Sequence, residues 1–232
     1  MKKELVFSLL YFLILIIELI AGSNAEYHHI RYVTKPLLTI SLGIFVFPDR
    51  KHYPHLLNFI LLALFFSFLG DIFLLFDDSY FIAGLLAFFI AHIMYISAFF
   101  KTKFFSPKRF AVITTALLIY AIPILYLIIP EAGSLLPYII LYVIILMIMV
   151  KTVYLRKGYV NRLSYQLALI GALLFLISDS LLALDKFVTE IPNITILVMS
   201  TYGVAQFLIV NGALIEKTNK RNLYNYFINQ AT

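Results

Sequence analysis

The stretch 80–129, YFIAGLLAFFIAHIMYISAFFKTKFFSPKRFAVITTALLIYAIPILYLII, decides the fold. Two apolar runs, Tyr80–Phe100 and Phe110–Ile129, are joined by a short link that holds Lys101, Lys103, Lys108 and Arg109. Each run reaches the roughly 20 residues that a helix needs to cross a ~30 Å hydrocarbon core. A short link rich in Lys and Arg stays on the cytoplasmic side. The segment therefore predicts two membrane-crossing helices that turn at the inner face.

The same pattern extends in both directions. Apolar runs at Leu5–Gly22, Tyr32–Phe47 and Pro54–Phe76 precede the pair, and Leu135–Tyr154, Arg162–Leu184 and Ile194–Leu214 follow it. Basic residues collect at every second boundary: Lys2 and Lys3; Arg50 and Lys51; the four already named; Lys151, Arg156, Lys157 and Arg162; and Lys217, Lys220 and Arg221. Fifteen of the 18 Lys and Arg thus fall on one side, against Arg31, Lys35 and Lys186 on the other. The alternation predicts an all-α membrane protein, a bundle of eight transmembrane helices with both termini cytoplasmic. Residues 1–232 read as a single integral-membrane domain, because links such as Asp77-Asp78-Ser79 leave no room for a soluble one. The run at Tyr32–Phe47 is short and needs shelter from its neighbours, and Pro123 predicts a kink in the fifth span.

Composition agrees. Mean hydropathy is +0.96, with 62% apolar residues and 13% charged, against about 25% charged in soluble domains. The net charge of +6 sits in cytoplasmic links, where it meets anionic lipid headgroups rather than nucleic acid. There are no cysteines, which excludes disulfides and thiolate chemistry. The first run carries Glu18 and lacks a small-residue cleavage site, so it reads as a retained span rather than a signal peptide. The Phe-, Ile-, Lys- and Asn-rich composition suggests a bacterial cell (inner) membrane. The pattern specifies no oligomeric state.

Ionisable groups inside a bilayer are costly, so each is a functional hypothesis by default. The spans contain Glu18, Lys35, Asp71, His92 and Asp179, with Tyr202 and Gln206 as polar companions. Asp71 precedes Asp77 by six residues, and Asp179 precedes Asp185 by the same interval. At 1.5 Å per residue, each inner Asp lies about 9 Å below its boundary Asp, at matched depth on parallel spans. Gly70 and Ser178 precede them and permit close helix approach. Gly84, Phe88, Ala91, His92 and Tyr95 share one face of span four, which puts His92 about 18 Å deep. Tyr202 and Gln206, four apart on span eight, lie about 12 and 18 Å deep. The polar groups all fall between the outer interface and the midplane, and the inner half is barer. This predicts a pocket opening outward, with Asp71 and Asp179 facing one another across it and His92 and Gln206 deeper along its wall.

Plainer roles are available for each. Asp71 and Asp179 can pair with Lys35 as a structural ion bridge, and His92 can be a hydrogen-bonded core residue. Tyr202 and Gln206 can join helices, and Glu18 can snorkel to the interface. His28, His29, His52 and His55 lack ligand spacing on a shared face, so no metal site is expected.

Read in order, Lys35-Pro36-Leu-Leu-Thr39, Gly70-Asp71 with Leu74-Leu75, Gly84 through Tyr95, Ser178-Asp179-Ser-Leu-Leu-Ala183 and Tyr202-Gly-Val-Ala205-Gln206 form a series. That series resembles the YhhN-like family, which includes the mammalian lysoplasmalogenases, and the resemblance covers essentially the whole chain. It implies a multi-pass membrane hydrolase that cleaves the vinyl ether bond of lysoplasmalogens, releasing a fatty aldehyde and glycerophosphoethanolamine or glycerophosphocholine. It also implies that Lys35, Asp71, His92, Asp179, Tyr202 and Gln206 occupy motif positions.

The residues suit that chemistry. Vinyl ether hydrolysis begins with protonation of the β-carbon; water then adds to the oxocarbenium ion and the hemiacetal collapses. Two carboxylates in different environments serve it, one as acid and one ionised to steady the cation and orient water. Asp71 and Asp179 are the catalytic candidates. Lys35, His92, Tyr95, Tyr202, Gln206 and Glu18 are candidates for binding the lysophospholipid, with Lys35 on the phosphate. No cofactor is called for. Two other classes stay open: a hydrolase of another lysolipid linkage, and a non-catalytic lipid-binding or transport protein. A transporter places polar groups through both membrane halves, which the one-sided distribution argues against.

Overall fold

A computed structural model describes residues 2–76, 78–101 and 105–216. The described residues form eight α-helices: α1 (Lys2–Ser23), α2 (Arg31–Val46), α3 (Pro54–Phe73), α4 (Phe81–Phe99), α5 (Pro107–Ile128), α6 (Leu136–Leu155), α7 (Arg162–Phe187) and α8 (Ile194–Leu214). All eight lie in stretches long and apolar enough to cross a membrane. Their boundaries follow local chemistry. Pro54 and Pro107 open α3 and α5 in the first turn, where a missing N–H costs nothing. Asn193 caps α8 at φ 57°, the left-handed region that Asn tolerates better than most residues.

Four boundaries differ from the sequence reading by three residues, with α1 opening at Lys2 and α5 at Pro107, each earlier than expected. α3 stops at Phe73, three residues before the predicted end, and α7 runs on to Phe187. The short second span is α2, only 16 residues, but 3-10 turns at Ala25–Ile30 and Phe47–Lys51 extend it at both ends. Pro123 stands inside α5, which continues past it to Ile128. Asp77, Lys103 and the basic tail lie outside the described residues.

Packing runs in antiparallel neighbours. α7 lies against α8 and α3 against α4; α4 also meets α6, and α1 rests on α2 and α8. The α7–α8 seam is built from small residues. A Cβ on Gly212 would come within 2.8 Å of the Ala168 amide nitrogen, and the Ser164 hydroxyl donates to the Gly212 carbonyl at 2.6 Å. Close backbone approach and interhelical hydrogen bonds are what hold helices together when lipid is as apolar as the side chains. The outer faces carry the complementary signature. Ile119, Ile122 and Tyr126 on α5 are 69%, 59% and 78% exposed, which is tolerable only against hydrocarbon.

A buried charge cluster that the sequence reading did not foresee lies just beyond the ends of α4, α6 and α8. Arg156, assigned to a cytoplasmic link, is fully buried. Its Nη2 donates to Glu216 at 2.8 Å and to the Ser164 hydroxyl at 3.0 Å. Lys101 reaches the other Glu216 oxygen at 2.9 Å. Arg156 follows directly on α6, where the neighbouring helix ends cover it; a link residue counted only by its charge conceals that.

Candidate active site

The candidate residues gather toward the opposite end of the bundle, in two hydrogen-bonded clusters. The first centres on Asp71, fully buried on α3. Gly70 beside it leaves room for the Phe88 ring, which a Cβ would meet at 2.6 Å. Tyr202 on α8 donates to Asp71 Oδ2 at 2.8 Å, and Gln206 Nε2 donates to the Tyr202 oxygen at 3.2 Å. Tyr95 on α4 donates in turn to Gln206 Oε1 through a short bond. Every donor in this chain points toward Asp71, and such chains polarise one another toward the charge they end on. Lys35 Nζ lies 3.9 Å from Asp71 Oδ1.

The second cluster centres on Asp179 of α7. Tyr142 on α6 donates to Asp179 Oδ2 at 2.6 Å. His92 Nε2 lies 3.1 Å from the Tyr142 oxygen and 3.4 Å from the same carboxylate oxygen. With the Tyr142 proton directed at Asp179, the Tyr142 oxygen accepts from His92 Nε2–H, a tautomer assigned from this network.

Among the cavities walled by described residues, none is lined by both aspartates. Asp179 lines a largely apolar cleft walled by α4, α5, α6 and α7. Asp71 is not among its lining residues. Phe175 stands between the clusters, packing edge-on against His92 at 4.8 Å and against Tyr202 at 5.4 Å. Phe88 packs against both Phe175 and Tyr202. Matched spacing on α3 and α7 therefore carries the two carboxylates into separate hydrogen-bonded clusters. His92 belongs with Asp179, and Gln206 with Asp71.

A second cavity, a cationic vestibule, adjoins the cleft. Arg31, Lys35, Asp185 and Lys186 line it, and Leu74, Phe81 and Leu182 form part of the walls of both spaces. Asp71 is one helical turn from Leu74, and Asp179 one turn from Leu182. Each carboxylate therefore sits a turn from the neck where the two spaces meet. Glu18 does not snorkel. It is fully buried, accepts from Arg31 Nε at 2.9 Å and from the Thr34 hydroxyl at 2.5 Å, and so holds an arginine at the vestibule wall. Among the described residues no three His, Asp or Glu side chains come together to hold a metal ion.

Tyr142 escaped the sequence reading, although it is the tightest partner of Asp179. The available signal was its position: a hydroxyl in mid-span of α6, far from the interfacial belts where Tyr usually sits. Arg31 was read only as a boundary charge.

Comparison with known proteins bears on these clusters. Lysoplasmalogenase TMEM86A of Bos taurus is 35% identical over 160 residues, 67% of this chain and 65% of that protein. Lysoplasmalogenase TMEM86A of Homo sapiens is 35% identical over 157 residues, with the same coverage of each chain. Lysoplasmalogenase TMEM86B of Homo sapiens is 32% identical over 181 residues, 77% of this chain and 72% of that one. The match thus spans 65% of the length of the first two relatives. No solved structure matches the chain. The YhhN family model matches residues 30–213, a stretch that includes every residue of both clusters, and the chain belongs to the YhhN family.

Proposed function

We propose that this protein is a membrane hydrolase that cleaves the vinyl ether bond of lysoplasmalogens, yielding a fatty aldehyde and glycerophosphoethanolamine or glycerophosphocholine. The observation that carries the reading is Asp179, a carboxyl held by Tyr142 and His92 in the wall of a largely apolar cleft. The cleft suits a single hydrocarbon chain, the cationic vestibule suits a phosphate, and the linkage between them falls at the neck. The names of the relatives point the same way.

In this reading the Asp179 carboxyl protonates the β-carbon of the vinyl ether. The positive charge develops on the neighbouring carbon and ether oxygen, close to the carboxylate just formed, which offsets it. Water adds to the cation and yields its proton to Asp179, with His92 and Tyr142 keeping the carboxylate oriented. The hemiacetal then transfers its hydroxyl proton to the departing glycerol oxygen as the carbon–oxygen bond breaks. Asp71 is the second carboxylate, held a turn from the neck by its donor chain, with Lys35 beside it. Tyr95, Tyr202 and Gln206 hold Asp71, Glu18 holds Arg31, and Lys35 contacts the phosphate.

The basic asymmetry supports an orientation with both termini cytoplasmic and the vestibule opening on the other face, and the Phe-, Ile-, Lys- and Asn-rich composition supports a bacterial inner membrane. Purified protein should release aldehyde from a vinyl ether lysolipid but leave its 1-acyl and 1-alkyl analogues intact. Cleavage of the acyl analogue alone would make it a lysophospholipase instead, and turnover of none of the three would leave a lipid-binding protein.

A further inference from the structure

The cleft beside Asp179 is shallow where a lipid chain needs depth. Among the described residues its lining ends on α7 at Leu176, a turn from Asp179, and on α6 at Leu146, a turn from Tyr142. At 1.5 Å per residue, about 4.5–6 Å of cleft lies beyond the Tyr142–Asp179 bond on the side away from the vestibule. Leu117, Val150 and Ala172, a turn further on α5, α6 and α7, belong to the packed core and close that end. A lipid chain reaches through half of a ~30 Å hydrocarbon core, roughly 15 Å. The closed end cannot hold it.

The other arm of the cleft runs back toward the vestibule end of the bundle. It finishes among Ile128, Ile139 and Phe187, in the terminal turns of α5, α6 and α7. A chain led there would carry its methyl terminus out of hydrocarbon to the level of the headgroups, which the hydrophobic effect opposes.

The remaining wall is α5. It packs on α6 and α7 and turns Tyr120, Ala121, Ile124, Leu125 and Ile128 to the cleft. Ile119, Ile122 and Tyr126, on its other side, are exposed. One helix, about 10 Å thick, therefore separates the cleft from lipid. It is also the most thinly held of the four walls. Only four of its residues are buried, against eight on α4, nine on α6 and seven on α7, so moving it uncovers the least packed surface.

The fixings of α5 lie at its ends. Near its start, Arg109 donates to the Lys157 carbonyl at 2.6 Å, and the Lys151 ammonium lies 5.0 Å from the centre of the Phe110 ring. At its finish, Ile128 clusters with Ile139, Leu184 and Phe187. Between them stands Pro123, which lacks the N–H that would bond the Ile119 carbonyl. The missing rung falls within the segment that walls the cleft. Sparse burial and a broken rung mark the stretch that opens at least cost.

We propose that α5 is a lateral gate: the lipid's chain passes beside its middle, near Pro123, into the surrounding bilayer, and the aldehyde leaves by the same route. This rests on the reading that a single-chain lipid sets its linkage at Asp179, but not on cleavage of that linkage.

The test uses the full chain in lipid nanodiscs and two 1-alkyl ether lysolipids that lack the vinyl group. One carries a photoactivated diazirine next to the ether, the other at the chain terminus, and labelled peptides are read by mass spectrometry. The first should label the cleft around Tyr142 and Leu176. The second should label Ile119, Ile122 and nanodisc lipid. Terminal label on Leu146 and Leu176, or on Ile139 and Phe187, would overturn the gate while leaving the lipid in its cleft. Failure of the first probe to label the cleft would remove both readings. Pro123→Ala supplies the missing N–H, so opening must break one more backbone hydrogen bond. Uptake and release of the tritiated alkyl lysolipid should each slow about tenfold, the change one such bond makes, with Kd unaltered. Unchanged rates, or a changed Kd at an unchanged release rate, would overturn the proposal.

Discussion

Asp71 and Asp179 are the same residue type toward the ends of α3 and α7, yet their surroundings differ. Asp179 is 14% exposed and meets the cleft, whereas Asp71 is sealed against Lys35. Asp179→Asn should lower kcat by about 10²–10⁴-fold, the usual contribution of a positioned acid–base group, with the melting temperature little changed. Asp71→Asn should instead cost stability as well as turnover. It leaves the buried Lys35 ammonium without its counter-charge, a loss of about 3–5 kcal/mol for such pairs. Thermal unfolding in detergent alongside aldehyde release separates the two; equal melting temperatures for both variants would refute this division. Lys35→Ala should raise KM more than it lowers kcat, because a phosphate contact is alike in ground and transition states. That polar residues within spans mark a candidate site was legible from the sequence, since the bilayer makes each of them conspicuous. Their partners were not: Tyr142 meets His92 from 50 residues away and Asp179 from 37, and no local pattern links them.

At the scale of helices, α8 is held on α7 by backbone contact rather than by long side chains. Gly212→Val would drive a branched side chain toward the Ala168 backbone and should destabilise by about 1–3 kcal/mol, the usual cost of overpacking. The ends of α4, α6 and α8 are tied through Glu216 to Lys101 and Arg156. Glu216→Gln should lower the unfolding temperature far more than an exposed charge removal would, because it strands the fully buried Arg156. It lies at the other end of the bundle from the clusters, so the kcat of the folded fraction should hold. A melting temperature unmoved by Glu216→Gln would show that the clasp contributes nothing.

For the whole molecule, the testable claim is orientation. Fifteen basic residues against three predict that reporters fused at the C-terminus and within the link 101–109 are cytoplasmic, while one fused after Asp78 is external. A C-terminal reporter active only outside would invert the bundle and put the vestibule on the cytoplasmic face. The number of helices and their approximate spans followed from the sequence alone, because a bilayer imposes one length and one apolar rule on every crossing segment. The polar residues at membrane depth followed for the same reason. Only the tertiary structure decided which of them meet. Helix depth is set along the chain by a fixed rise per residue, but rotation and neighbour choice are set by packing between helices. Phe88, read only as part of the His92 face, and Phe175, with no signal of its own, therefore stand between the clusters of two carboxylates that the sequence had placed face to face.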